Sequence, residues 1–211
     1  MLKKIYWLVI IILTGAFIAC TAISNNKPIE VAKPLTEQQV NPYATVDKSP
    51  MDISYYPVNY PMQLMSGNDS VALIARLIYS RPQKNGRTIF GNEPLPKNVQ
   101  QYGAYWRLGA NEASEIEFFK PVTIGSKKIT KGRYIIYCIP LESKWTIVLN
   151  NNLFSFGLHQ DISKDVFKFE IPAEKTNESI EFFTMVFKQT PAGANLIITW
   201  DNVKAVLPIL F

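Results

Sequence analysis

From residue 71 to its end, the chain is built of short runs rich in β-branched and aromatic residues, each cut off by turn formers. The runs are 71–79, 115–119, 122–129, 134–139, 145–149, 166–171, 180–187, 195–200 and 203–207. Gly125-Ser126, Lys131-Gly132, Asn150-Asn151-Asn152 and Pro191-Ala192-Gly193 separate several of them. In 166–171, Phe167, Phe169 and Ile171 fall on one side of a strand while Lys168 and Glu170 fall on the other, the period-2 signature of a half-buried strand. In 71–79 the same logic puts Leu73, Ala75, Leu77 and Tyr79 on one face. The run 180–187 is apolar on both faces, as a central or covered strand requires. No segment carries a long 3.6-residue apolar stripe, and only 94–105 leaves room for a short helix. Many short strands at this spacing predict an all-β fold, an antiparallel β-sandwich of jelly-roll-like form. Tyr55, Tyr56 and Tyr60, with Pro57 and Pro61, predict an edge strand or an extended covering segment before it.

The beginning of the chain reads differently. Lys3 and Lys4 precede an apolar stretch from Tyr6 to Ile18, the size of a signal peptide rather than of a membrane span. It closes with Ala19-Cys20, which resembles the lipobox of bacterial lipoproteins. That resemblance implies cleavage after residue 19 and acylation of Cys20. Residues 20–50 have recurrent prolines (Pro28, Pro34, Pro42, Pro50) and no apolar period, so they predict a flexible tether. The expected organisation is a signal segment over 1–19, a lipid-anchored tether over 20–50 and a β-domain over 51–211. The expected address is the bacterial cell envelope, with the membrane as partner through the lipid. Substituting Cys20→Ala is expected to abolish labelling by a fatty-acid probe in the native host; unchanged labelling would count against the anchor.

Charge and reactive groups narrow the classes. Outside Lys3 and Lys4 the chain has 20 basic and 17 acidic side chains, too balanced and dispersed for a nucleic-acid surface. With one histidine (His159) and two cysteines, a structural zinc site lacks ligands, and no cofactor is called for. Cys138, in an apolar run, predicts a small buried hydrophobe. There is no Gly-x-Ser-x-Gly elbow. His159 and Asp161 share a face if extended, a weak echo of an acid–base pair.

The polar residues that stand out are Arg81, Arg87, Trp106, Arg107, Asn111 and Glu112. Arginine offers a planar donor fork for carboxylate or phosphate, and Trp106 and Tyr105 offer faces for a sugar or aromatic ring. Two readings follow. In one, these residues form a recognition site for a small molecule or glycan. In the other, they brace a structural corner: Gly109 and Ala110 turn the chain, Asn111 bonds its own loop, and an arginine balances Glu112. Convergence of the arginines without matching acids would favour an anion site. A hydrolase acting on a carbohydrate or envelope substrate through Glu112 and a second acid or base is the enzymatic alternative.

Tyr79-Ser-Arg-Pro82, Gly86-Arg-Thr-Ile-Phe-Gly91, Trp106-Arg-Leu-Gly-Ala-Asn-Glu-Ala113, Gly132-Arg-Tyr134, Ile139-Pro140, Trp145-Thr-Ile147 and Ile197-Ile-Thr-Trp200 together resemble the DUF2911 family, uncharacterised exported proteins common in Bacteroidetes-type bacteria. The resemblance runs in order over about residues 50–208. Leu108 stands where the family usually has threonine, and the stretch from Asn92 to Gln101 is longer than usual. The resemblance implies export but no activity.

Overall fold

Alternation translates into strands wherever one face meets the core. The computed structural model describes Tyr43 and residues 47–211; the signal segment, Cys20 and nearly all of the tether lie outside the described residues. Strand β1 (Met51–Tyr56) is followed by a short helix α1 (Tyr60–Met65), then β2 (Ala75–Ser80), β3 (Thr88–Gly91), β4 (Asn98–Gln101) and β5 (Ser114–Phe118). A hairpin of β6 (Val122–Ile124) and β7 (Lys127–Ile129) precedes β8 (Gly132–Pro140), β9 (Lys144–Asn150), β10 (Asp165–Thr190) and β11 (Gly193–Leu210). Nine strands form one sheet in the order β1-β2-β5-β8-β9-β10-β11-β6-β7, and β3 and β4 form a separate parallel pair. All pairings in the large sheet are antiparallel. The fold is all-β, and β1, which carries Tyr55 and Tyr56, is an edge strand as expected, while Tyr60 and Pro61 belong to α1.

The long hairpin turns this sheet into two layers. β10 pairs with β9 through Asp165–Pro172 and with β11 through Ala173–Lys175 and Ile180–Thr190, with register shifts between 175 and 180 and between 180 and 184. No residue of 174–179 is buried, so nothing holds that stretch flat. Opposite it, Asp201 takes φ 51° and interrupts the alternation of β11 between Trp200 and Val203. Lys84 reaches this bend and pairs with Asp201 at 2.6 Å, and Ser179 donates to the same carboxylate at 2.8 Å. Beyond the bend the two ends of β11 meet: Phe211 N donates to Ala192 O at 3.2 Å. A straight strand would hold residues 193 and 209 about 50 Å apart. The ribbon is folded over, and β10 belongs to both layers.

One apolar core fills the space between the layers. It includes Leu77 and Tyr79 of β2, Ile116 and Phe118 of β5, Trp145 and Ile147 of β9, Phe183, Met185 and Phe187 of β10, and Ile198 and Trp200 of β11. In β8 five consecutive residues, Tyr134–Cys138, are buried, so its outer face is covered as well. Tyr105 lies edge-on to Tyr137 of that outer face at 5.7 Å. Cys138 is a fully buried free thiol, its pKa pushed well up by desolvation, the environment of a small buried hydrophobe.

Three local expectations are corrected. Residues 94–105 hold the strand β4 rather than a helix, because β4 finds a partner in β3. The helix lies instead at Tyr60–Met65, with Pro61 in its first turn, where proline's missing N–H costs nothing. And 180–187 is covered on one face only: Phe183, Met185 and Phe187 are buried, while Phe182 and Val186 are exposed.

Candidate functional site

Trp106 sits where the layers are pinned together. Its backbone exchanges two 2.8 Å hydrogen bonds with Cys138 of β8. Its indole packs on Phe183 (4.9 Å), Trp145 (5.7 Å), Phe90 (5.4 Å) and Trp200 (6.1 Å, near-parallel). The chain then turns hard. Leu108, fully buried, has φ 55° and Asn111 has φ 62°, a conformation that a branched apolar residue adopts only under tertiary constraint. Ser114 Oγ holds the turn by donating to Leu108 O at 2.6 Å.

Between these two anchors Arg107 faces outward into a cleft of about 350 Å³. Trp106 and Trp200 form its floor; Leu95, Val99, Tyr105 and Leu158 contribute apolar walls, and Arg87 is also part of the lining. Among the described residues no Asp, Glu or His lines it. Arg107 Nη1 donates to Asn111 O (2.7 Å) and Phe156 O (3.4 Å). Arg87 Nε donates to Lys84 O (3.0 Å) and Nη2 to Gln83 O. Among the described residues neither arginine enters an ion pair. Carbonyls orient a guanidinium without neutralising it, so two positive charges share one cleft uncompensated. Each also keeps N–H donors without an acceptor among the described residues, since a guanidinium has five. Desolvation lowers the pKa of Arg107, yet arginine stays charged in proteins.

The other sequence candidates lie elsewhere. Arg81 is paired with Asp52 (3.1 Å), bonded to Phe183 O and Thr184 Oγ1, and stacked over Phe182 at 5.8 Å. It ties β2 to β10 and is not part of the cleft lining. Asn111 Nδ2 donates to Asp47 Oδ2 (2.7 Å) and Ser49 O (3.4 Å), and Ser49 lines the cleft. Asn111 therefore positions the wall. Glu112 lines a separate recess of about 200 Å³ with Glu115, and Glu115 pairs with Arg133 at 3.5 Å. Asp161 caps a 3-10 turn, Ile162–Lys164. Among the described residues no group of three His, Cys, Asp or Glu is placed to hold a metal ion.

A family model described as "Protein of unknown function (DUF2911)" matches residues 61–209. The chain belongs to the DUF2911 family. No curated protein and no solved structure matches it.

The loop over 151–164 completes the cleft of this DUF2911 protein. Asn150, almost fully buried, donates to Asp161 O (2.9 Å) and Asp165 Oδ1 (2.7 Å). Tyr137 donates to the same carboxylate at 2.9 Å, which together with burial raises the Tyr137 pKa. At the loop's tip Gly157 has φ 78°, and a Cβ there would sit 2.9 Å from Arg107 Cβ and 3.1 Å from Ala113 Cα. Only glycine permits both the conformation and the approach. Gly157→Ala is expected to destabilise by about 1–3 kcal/mol and to displace the Phe156 carbonyl from Arg107, seen as a lower thermal midpoint and shifted amide resonances around Arg107. The sequence reading missed Leu95, Val99, Gly157, Leu158 and Trp200 as lining residues. Gly157, flanked by Phe156 and Leu158 in a loop between strand-like runs, is the signal the residues offer.

Proposed function

We propose that this protein is a non-enzymatic binding module of the bacterial envelope, tethered through a lipid on Cys20, that takes an anionic small molecule into the cleft between Arg87 and Arg107. The observation that carries the reading is the pair of arginines on an aromatic floor, with no acid in the lining among the described residues. The guanidinium of Arg107, partly desolvated, attracts a carboxylate, phosphate or sulfate group more than a fully solvated one would, and the exposed Arg87 adds a second positive charge to the same lining. The constrained turn at Leu108 fits a site that is held rather than merely folded.

Hydrolysis through Glu112 has less to rest on. Glu112 is outside the cleft, and its neighbour Glu115 is engaged by Arg133.

Titration calorimetry with inorganic phosphate tests the reading. Charge-assisted hydrogen bonds contribute about 1.5–3 kcal/mol each. Arg87→Gln and Arg107→Gln are therefore each expected to weaken phosphate binding by about tenfold or more. Arg81→Gln, outside the lining, is expected to leave the affinity unchanged. An unchanged affinity in the Arg87→Gln/Arg107→Gln double variant would overturn the assignment.

A further inference from the structure

We infer that the ligand class of the arginine cleft is an anionic amphiphile: a single molecule with a phosphate or carboxylate head and a hydrocarbon chain. This rests on the anion-binding reading above and deepens it. The cleft has charge inside and apolar surface at its mouth. Leu95, Leu158 and Tyr105 line it, yet are 69%, 66% and 49% exposed. Phe156, whose carbonyl orients Arg107, is 67% exposed, and Phe154, two residues earlier, is 94% exposed. Single exposed apolar side chains are ordinary, but a cluster of them at the mouth of a cleft marks a contact surface. The lip is held in place: Asn150, Tyr137 and Asp165 fix the base of the loop, and Gly157 seats its tip on Arg107 and Ala113.

Polarity decides between ligand classes. A sugar phosphate or a glycan presents several hydroxyls, which need several placed polar groups to read them. Among the described residues the cleft's neutral polar side chains are only Ser49, Gln100 and Tyr105, and Gln100 spends its Nε2 on Gln101 O (2.9 Å) and Ala104 O (3.1 Å). A head group between the arginines would instead leave its chain lying along Leu158, Phe156 and Leu95. At about 350 Å³ the cleft is near the lower end of ligand-site volumes, enough for the head and the start of the chain, with the remainder on the lip.

The test uses the full chain and two probes, dodecyl phosphate below its micelle concentration and inorganic phosphate, with tryptophan fluorescence as readout. Dodecyl phosphate is expected to bind at least about tenfold tighter, the worth of about two buried methylenes. Phe156→Ser/Leu158→Ser, changing two exposed side chains, is expected to abolish that advantage, read as the ratio of the two affinities within the same variant. Arg87→Gln/Arg107→Gln is expected to weaken both probes. Equal affinities in the wild type overturn the amphiphile and leave the anion site standing. So does an advantage that survives Phe156→Ser/Leu158→Ser, which would place chain binding elsewhere, for example on the segment before residue 20. Failure of the arginine substitutions to weaken either probe overturns the anion site and the inference together.

Discussion

Gly193→Ala is expected to lower the stability of the domain by about 3 kcal/mol, more than most substitutions to alanine at a non-catalytic glycine. Gly193 opens β11 where the two ends of that strand meet. A Cβ there would overlap the Ile209 carbonyl oxygen and lie 3.0 Å from Leu210 Cα. Neither is the far end of a flexible side chain, so the backbone itself has to move. The same residue accepts a buried 2.9 Å hydrogen bond from the Tyr56 hydroxyl, and Tyr56 stacks on Phe211 at 4.6 Å. A shift of β11 therefore disturbs β1 as well. Denaturant unfolding measures the effect. A change under about 0.5 kcal/mol, the scale of neutral surface substitutions, would mean that the corner is loosely packed.

Trp106→Ala is expected to cost about 3–5 kcal/mol. Four aromatic rings pack on Trp106 from different elements, and it is only 5% exposed. Alanine leaves a cavity that no single neighbour can fill. It also removes the floor between Arg87 and Arg107, so binding of an anionic probe should fall with stability. Trp106→Phe, which keeps the ring packing in part, is expected to lose less stability and to retain most of the probe affinity. If Trp106→Ala unfolds at the wild-type denaturant midpoint, the indole is not the pin described here.

Much of this fold is legible in the residues because burial on one face writes itself as alternation. Leu77 with Tyr79 and Phe169 with Ile171 are buried as their spacing predicts. The length of β10 and β11 is not legible. Their middle, Glu174–Ser179, is polar on both sides, like a loop, and is carried as strand by its neighbours rather than by its own burial. β3 and β4 are short, and their parallel partnership spans residues that no local pattern connects. The site is legible in part, since Trp106, Arg107 and Arg87 stand out as types. That Arg87 and Arg107 share a cleft while Arg81 finds Asp52 depends on how the sheet closes. That closure runs through contacts such as Lys84 N to Glu181 O, about a hundred residues apart in sequence.

The folded β10–β11 ribbon carries a consequence for how the domain opens. Both layers draw hydrogen bonds from the same hairpin, so neither can open while the other stays intact. Amides of β8 and β9 in one layer and of the first half of β11 in the other should then exchange with solvent at one common free energy, that of global unfolding. α1, which buries none of its residues, can open independently and is expected to exchange fastest. The closing contacts are also far apart in sequence, so the chain has to complete them late and together. That predicts slow folding for a domain of this size, with the lip of the cleft forming only once the ribbon has folded over.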